Sequence, residues 1–152
     1  MRSINVSMTG FRVVTMQFDN GWIDNGQETW VSIGSYQFGF TGGLSDYWYD
    51  LGSGRNSTGL GFSTDGVNLS LTLNGSGGFN FSAKTNSSPA VWTVANPVSG
   101  AVIPSTIIAF NNSAGNGASN NMYINNLKVV PEPASLAALG LGVAALIKRR
   151  RR

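Results

Sequence analysis

The chain has 152 residues and contains neither histidine nor cysteine. These absences exclude Ser-His-Asp triads, zinc sites built from histidine or cysteine, and thiol nucleophiles. Half of the 10 lysines and arginines lie in 148–152, so the rest of the chain carries fewer cations than its 7 carboxylates and offers no basic face to a nucleic acid.

Turn-forming residues divide the first 128 residues into short segments with the character of β-strands. Glycine is abundant, at 20 residues, while charged residues make up 11% of the chain. The clearest strand is Val67–Leu73, in which apolar residues alternate with Asn, Ser and Thr. The other predicted strands are 11–18, 29–40 with a bend at Gly34, 44–51, 59–64, 79–83, 90–95, 102–110 and 122–130. About nine strands without a long helix predict an all-β, two-sheet antiparallel sandwich over residues 1–128.

The last predicted strand resembles a strand of a known fold. Residues 123–129 read Tyr-Ile-Asn-Asn-Leu-Lys-Val. This run resembles the closing strand of concanavalin-like jelly rolls, with Asn125 in the position of an aspartate. The resemblance implies a jelly-roll arrangement of the sandwich.

The first ten residues do not have the pattern of a secretory leader. They contain no continuous apolar core of 7–15 residues. We therefore expect the reading frame upstream of Met1 to encode an apolar leader, and the sandwich to be truncated at its N-terminus in this sequence.

Oxygen-bearing side chains are concentrated between residues 19 and 28. Asp19, Asp24 and Glu28 are the carboxylates of this stretch, and several asparagines lie between them. Calcium prefers 6–8 such oxygen ligands, so the stretch is a candidate calcium site, although its spacing differs from that of an EF-hand loop. A pair of hairpin turns explains the same residues. No other metal or cofactor is predicted.

A second candidate site is the aromatic run Tyr47, Trp48 and Tyr49, which lies between two aspartates. Alternation along a strand would place Tyr47 and Tyr49 on one face and Trp48 on the other. Aromatic rings beside acids are a common platform for stacking on sugar rings, so these three residues are the candidate sugar-binding residues. Packing in the core is the alternative use of the same side chains.

Catalytic groups are scarce before the C-terminal segment. Glycoside hydrolysis needs two carboxylates across the sugar, and the Glu-x-Asp-x-Glu pattern of jelly-roll glucanases is absent. Glu28 is the single glutamate before residue 132. We therefore predict that the protein is not an enzyme.

The last 24 residues differ in character from the rest. Proline fixes φ and lacks a backbone donor, so the segment 129–135, centred on Pro131, Glu132 and Pro133, is predicted to be extended and exposed. An apolar run, 136–147, follows it and predicts a short helix. With the two residues before it, the helix would be roughly 21 Å long, against a hydrocarbon core of about 30 Å.

Five consecutive cations close the chain: Lys148, Arg149, Arg150, Arg151 and Arg152. Long basic side chains can reach lipid headgroups around a short span, and the positive-inside rule places them in the cytoplasm. The prediction is a single-pass membrane precursor with 1–128 outside, 136–147 as the transmembrane helix and 148–152 as the cytoplasmic tail. A buried core helix followed by a solvated basic end is the alternative interpretation.

The order of these three parts resembles the PEP-CTERM protein-sorting signal, which exosortases of Gram-negative bacteria process. The sequence Val-Pro-Glu-Pro-Ala-Ser at 130–135, the short apolar helix and the terminal Arg cluster carry the resemblance. It implies that Pro131, Glu132 and Pro133 are recognised by an exosortase, a membrane transpeptidase that removes the helix and basic tail nearby. Some tails of this kind are labelled after ice-binding proteins. That label describes the tail and implies nothing about the function of the domain.

These observations lead to an expected function in the cell envelope. The protein is expected at the outer surface or in the exopolysaccharide matrix of a biofilm, with the sandwich as a structural or adhesive element. Its expected partners are the exosortase, the membrane through the C-terminal helix, and exopolysaccharide. The alternative is a lectin-like carbohydrate-binding module that engages the organism's own exopolysaccharide.

Overall fold

The computed structural model describes residues 2–5, 11–73, 79–96, 106–112 and 117–131. Within these ranges the chain forms β-strands and one short 3₁₀ helix, Ala118–Asn120. The strands are β1 (Arg2–Asn5), β2 (Phe11–Asn20), β3 (Glu28–Ile33), β4 (Tyr36–Thr41), β5 (Asp46–Asp50), β6 (Arg55–Gly61), β7 (Val67–Leu73), β8 (Phe79–Thr85), β9 (Val91–Asn96), β10 (Thr106–Asn112) and β11 (Met122–Pro131).

The strands form two antiparallel sheets, which confirms the predicted all-β sandwich. Sheet A has six strands in the order β1-β10-β3-β4-β5-β6. Sheet B has five strands in the order β11-β2-β7-β8-β9. The predicted helix at 136–147 and the basic end at 148–152 lie outside the described residues. No helix in the described ranges is long and apolar enough to cross a membrane.

The core lies between the two sheets and is rich in aromatic rings. Alternate residues of β2 and β7, including Val14, Met16, Leu69 and Leu71, are buried, as a half-buried strand requires. The ring of Phe38 in sheet A packs edge to face against Phe81 of sheet B, with 6.2 Å between centroids. Such aromatic pairs add favourable energy beyond the area they bury, so they tie the sheets together.

Two differences from the predicted strands have a clear physical cause. The segment predicted as one bent strand, 29–40, is a hairpin of β3 and β4, because Gly34 adopts a φ of 63° and reverses the chain there. The short strand β1 lies in a segment where no strand was predicted, and it pairs with β10. Four residues are too few to show an alternation pattern.

The last strand of sheet B continues into the C-terminal segment. Val129 pairs with Val14 and Pro131 with Phe11, with a register shift between Val130 and Pro131. Strand β11 therefore ends three residues beyond the predicted domain boundary at 128. Proline within sheets is largely confined to edge strands, and β11 is an edge strand of sheet B.

Candidate functional site

An aromatic row crosses the outer face of sheet A, the face turned away from the core. Phe110 of β10 lies opposite Trp30 of β3, Trp30 lies opposite Gly39 of β4, and Gly39 lies opposite Trp48 of β5. Residues that are directly opposite in an antiparallel pair share a face, so these four positions form one line across the sheet. The rings of Trp30 and Phe110 stack with 4.7 Å between their centroids.

Gly39 makes room for this row. A Cβ atom built at Gly39 would lie 2.5 Å from Cβ of Trp30 and 2.8 Å from Cζ2 of Trp48. Real Cβ atoms do not approach other atoms so closely. The absent side chain therefore allows the indole of Trp48 to lie over β4 beside Trp30.

Trp48 is almost covered, although it lies on the outer face of the sheet. Its side chain is 3% exposed. The indole Nε1–H donates to Oγ1 of Thr41 at 3.1 Å. Arg55 lies over the ring, with Cζ 3.9 Å from the ring centroid, which is a cation–π contact. The face of the indole that a sugar would use is therefore occupied by the guanidinium group.

The guanidinium group of Arg55 is held in place by Glu28. Nη1 and Nη2 of Arg55 donate to the two carboxylate oxygens of Glu28, the second at 3.1 Å, and Thr41 Oγ1 donates to the carboxylate at 3.3 Å. These bonds lower the pKa of the Glu28 carboxyl, with Arg55 as the main cause. Arg55 starts the edge strand β6, and Glu28 starts β3. The ion pair thus bridges four neighbouring strands over the ring of Trp48.

A shallow recess of about 240 Å³ lies beside this ion pair. Thr41, Leu44, Asp46, Trp48 and Arg55 are among the residues that line it. The carboxylate of Asp46 accepts a hydrogen bond from Ser57 Oγ at 3.0 Å. The recess therefore combines an exposed aliphatic side chain with carboxylate, hydroxyl and guanidinium groups, which is a surface suited to a polar ligand with apolar patches.

The other two candidate aromatics lie on the core side of β5. Tyr47 is 3% exposed, and its ring stacks on Phe38 with 5.2 Å between centroids. Its hydroxyl donates to the carbonyl of Ser63 at 3.3 Å. Tyr49 is partly buried and packs against Trp92. The structure therefore does not bring the three rings to one surface, and sugar binding by this run remains a prediction.

The buried hydroxyl of Tyr47 leads to a testable pH dependence. Burial raises the pKa of Tyr47 to about 12, and the charge of Asp19 adds to the rise, although the hydrogen bond to Ser63 opposes it. Above pH 10 the unfolded chain loses this proton before the folded chain does, so the free energy of unfolding should fall by about 2–3 kcal/mol towards pH 12. Denaturant unfolding at a series of alkaline pH values measures this fall.

Two single substitutions test the assignment of this fall. Tyr47→Phe should remove most of it, while Tyr123→Phe should leave it in place, because the ring of Tyr123 is exposed. An equal alkaline fall in Tyr47→Phe and in the unaltered protein would contradict the assignment to Tyr47.

The three candidate calcium ligands do not form a cluster. No group of three or more Asp, Glu, His or Cys side chains that could hold a metal ion exists within the described residues. The carboxylate of Glu28 is engaged by Arg55, and Oδ1 of Asp24 accepts from Asn120 at 3.4 Å. Asp19 lies on β2, opposite Tyr123 of β11. Calcium binding by these residues remains a prediction without a geometric basis here.

Amide side chains hold this region together through hydrogen bonds. Asn20 Nδ2 donates to the carbonyl of Asn120 at 3.3 Å, and Thr29 Oγ1 donates to Asn20 Oδ1 at 3.1 Å. Both Asn20 and Thr29 are buried. Buried polar groups need such partners, so these bonds fix the ends of β2 and β3 against the last loop.

Arg55 and Gly39 were missed from the sequence, and Trp30 was set aside as a residue of the core. Arg55 follows a Gly-Ser-Gly turn with no neighbouring aromatic residue, and nothing local connects it with Glu28, 27 positions earlier. Trp30 and Gly39 acquire their roles only through the register of β3, β4 and β5. A correct prediction of the β3-β4 hairpin register would have placed Trp30 opposite Gly39 and so identified both residues.

The family comparison finds one matching motif. The PEP-CTERM protein-sorting motif matches residues 129–152. A comparison with curated proteins finds no match.

The fold comparison finds two similar crystal structures of scytalido-glutamic peptidase, one with a peptide-based transition-state analogue and one with a transition-state analogue inhibitor. The identities are 14% and 16% and the TM-scores 0.52 and 0.53, over 85% of this chain and 72% of the other chain in both cases. A third structure is SCP-B, a member of the Eqolisin family of peptidases, in a complex with the tripeptide Ala-Ile-His, at 14% identity and a TM-score of 0.47 over 85% of this chain and 71% of the other.

The prediction that the protein is not an enzyme is wrong, because the fold likeness contradicts the reasoning behind it. That prediction rested on the missing histidine and cysteine and on the missing pair of carboxylates across a sugar. The similar structures are named as glutamic peptidases, so the fold is one on which enzymes occur. At this level of identity the likeness shows the shared fold alone.

The C-terminal match identifies a sorting signal. It covers the Pro-Glu-Pro triplet, the apolar run and the basic end in their expected order. The motif is a signal for exosortase processing. The chain therefore carries the PEP-CTERM sorting motif at residues 129–152, the signal of an exported, cell-envelope-associated protein that an exosortase sorts.

Proposed function

We propose that the sandwich is an adhesive module of the cell surface or exopolysaccharide matrix, and that the outer face of sheet A is its contact surface. The observation that carries this proposal is the row formed by Phe110, Trp30 and Trp48 on that face, in which Phe110 and Trp30 are partly exposed and Trp48 is covered by Arg55. Large aromatic side chains normally fill the core, and on a surface they are enriched where partners bind.

The rigidity of this face also supports an adhesive role. The ion pair of Arg55 with Glu28 and the bond from Trp48 to Thr41 connect β3, β4, β5 and β6. Side chains that are fixed before contact lose less conformational entropy when a partner binds. A surface module that must hold a polymer under load benefits from this arrangement.

A lectin-like carbohydrate-binding module is the second candidate. The recess beside Trp48 offers Asp46 and Thr41 to sugar hydroxyls. Stacking of a sugar on the indole requires Arg55 to leave its position over the ring, because Cζ lies 3.9 Å from the centroid. This candidate therefore predicts that removal of the Arg55 side chain strengthens binding to a defined oligosaccharide.

The sorting proposal concerns the C-terminal segment. Pro131, Glu132 and Pro133 form the element that the exosortase recognises. Residues 136–147 span the membrane in the precursor, and 148–152 lie in the cytoplasm with the domain on the outer side. The match of the sorting motif over residues 129–152 supports this assignment.

The adhesive role is tested by retention of the full chain on exopolysaccharide purified from the source bacterium. Trp30→Ser should reduce the retained fraction by about tenfold, because a central aromatic anchor of an interface contributes roughly 2 kcal/mol or more. Trp22→Ser is the matched control, since Trp22 is an exposed aromatic residue that lies outside both sheets. Circular dichroism of each variant verifies that it is folded.

Three other results would change the proposal. Unchanged retention of folded Trp30→Ser would contradict a contact surface on sheet A. Stronger binding of Arg55→Ala to a defined oligosaccharide would favour the lectin-like module. Hydrolysis of a peptide substrate that Glu28→Gln abolishes would instead assign a peptidase activity, by analogy with the glutamic peptidases that share the fold.

A further inference from the structure

The outer face of sheet B carries two adjacent rows of polar side chains that cross the whole sheet. The first row is formed by directly paired residues: Lys128, Thr15, Ser70, Ser82 and Thr93. The second row is formed in the same way by Asn125, Gln17, Asn68, Lys84 and Val91. One row thus presents hydroxyl groups and the other mainly amides, and each contains one lysine.

Most of the residues in these rows line a groove of about 540 Å³. Its lining includes Thr15, Ser70 and Ser82, with Lys128 towards one edge of the sheet and Lys84 and Val91 towards the other. The sheet has five strands, so with about 4.8 Å between neighbours the groove runs across a span of roughly 19 Å. Such a span suits an extended chain rather than a compact small molecule.

A β-bulge shapes one end of the groove. The register of β11 shifts between Asn125 and Lys128, and Asn126 there has a φ of 53°. The amide of Asn126 donates to Oε1 of Gln17 at 3.3 Å, so it lies over the neighbouring strand. Bulges commonly re-aim side chains in this manner. Asn126 also lines the groove.

The charge of the groove selects the class of ligand. Both lysines are exposed, and neither forms an ion pair with another described residue. The two rows contain no carboxylate, and Asp19 lies in the next row along β2. In contrast, the outer face of sheet A has Glu28, Asp46 and Asp50 against Arg55. An anionic ligand is therefore favoured on sheet B and disfavoured on sheet A.

The distance between the lysines selects the size of the ligand. Lys128 and Lys84 are three strands apart, which corresponds to about 14 Å across the sheet. A single phosphate or carboxylate cannot contact both, whereas a linear polymer with repeated acidic groups can. The hydroxyls and amides between them can donate to and accept from sugar hydroxyls, and Val91, 59% exposed, offers an apolar patch to a pyranose ring.

We propose that the outer face of sheet B binds a linear, carboxylate-bearing polysaccharide that lies across the strands. The proposal does not depend on the role of sheet A, since the two faces share no residues. It gives the protein a second binding face with a different ligand chemistry.

Binding to immobilised polygalacturonate tests this proposal, with the fully methyl-esterified polymer as the uncharged comparison. Every sample is the full chain with 148–152 changed to glutamine, so that the basic tail does not contribute. The unaltered face should bind polygalacturonate at least about tenfold more tightly than the ester, and added salt should weaken the binding. The pair Lys84→Gln and Lys128→Gln should lose about tenfold.

The matched control is the pair Ser35→Asp and Ser53→Asp, which changes the net charge by the same amount at exposed turns of sheet A. This pair should bind as the unaltered face does. Equal affinity for the ester, retained binding after loss of both lysines, or an equal loss in the control pair would each overturn the proposal. Displacement of polygalacturonate by an equal charge of single-stranded DNA would also overturn it, and would assign a nucleic acid to this face.

Discussion

Replacing Phe38 with alanine should lower the free energy of unfolding by about 3–5 kcal/mol, the usual cost of removing a fully buried phenylalanine. Phe38 is 0% exposed. Its ring contacts Tyr47 within sheet A, and Phe18, Phe81 and Trp92 of sheet B. The cavity left by the substitution would therefore open at the junction of the two sheets, where the surrounding rings are already packed.

Urea denaturation measures this loss as a lower midpoint with an unchanged dependence on denaturant. Leu44→Ala is the control, because Leu44 is 55% exposed and its truncation should change stability by less than about 0.5 kcal/mol. Similar midpoints for Phe38→Ala and Leu44→Ala would show that the two sheets do not meet through Phe38.

The second large effect concerns sorting. A precursor in which Pro131, Glu132 and Pro133 are all replaced by alanine should lose processing almost entirely, because the proposed recognition element is then absent. Mass spectrometry of the envelope fraction should detect the tail peptide that ends in Arg152 in this variant. In the unaltered protein the C-terminus should lie near Pro133, with residues 136–152 missing.

Pro89→Ala is the control for this experiment, since it removes an exposed proline of the sandwich and leaves the sorting motif intact. Its product should be identical in length to the unaltered mature protein. Surface protein that still carries Arg152 in the unaltered strain would mean that residues 136–152 are a permanent anchor.

The sandwich could be predicted from the sequence because alternation is a local signal. In β7 the predicted and observed bounds of the strand agree, since every second residue of Val67–Leu73 is apolar. In β5 the same rule correctly separates Tyr47 and Tyr49, which face the core, from Trp48. Both results depend only on the two-residue period of a strand.

The arrangement around Trp48 could not be predicted in the same way, because it depends on which strands are neighbours. The contact of Arg55 with Glu28 joins β6 to β3 across two other strands. The place of Gly39 between Trp30 and Trp48 follows from the register of two hairpins. Local composition determines neither the strand order nor the register. The contacts of Arg55, Glu28 and Gly39 around Trp48 could therefore not be predicted from their sequence neighbours.

The same limit applies to the prediction about catalysis. Missing residue types exclude particular mechanisms, but they do not exclude every mechanism a fold can support. The likeness to glutamic peptidases shows that this architecture occurs among enzymes that are named for a glutamate. Glu28 is paired with Arg55 on the outer face of sheet A. The variant Glu28→Gln tests whether this glutamate takes part in peptide hydrolysis.

The overlap of strand β11 with the sorting motif makes part of the motif a structural element of sheet B. Val129, Val130 and Pro131 belong both to β11 and to the matched motif. Because β11 pairs with β2, more than 100 positions earlier, sheet B can close only when the ribosome has reached the start of the motif. Until then β2 has an unpaired edge, which is a site for aggregation. A cut that removes residues before 132 would therefore reopen that edge.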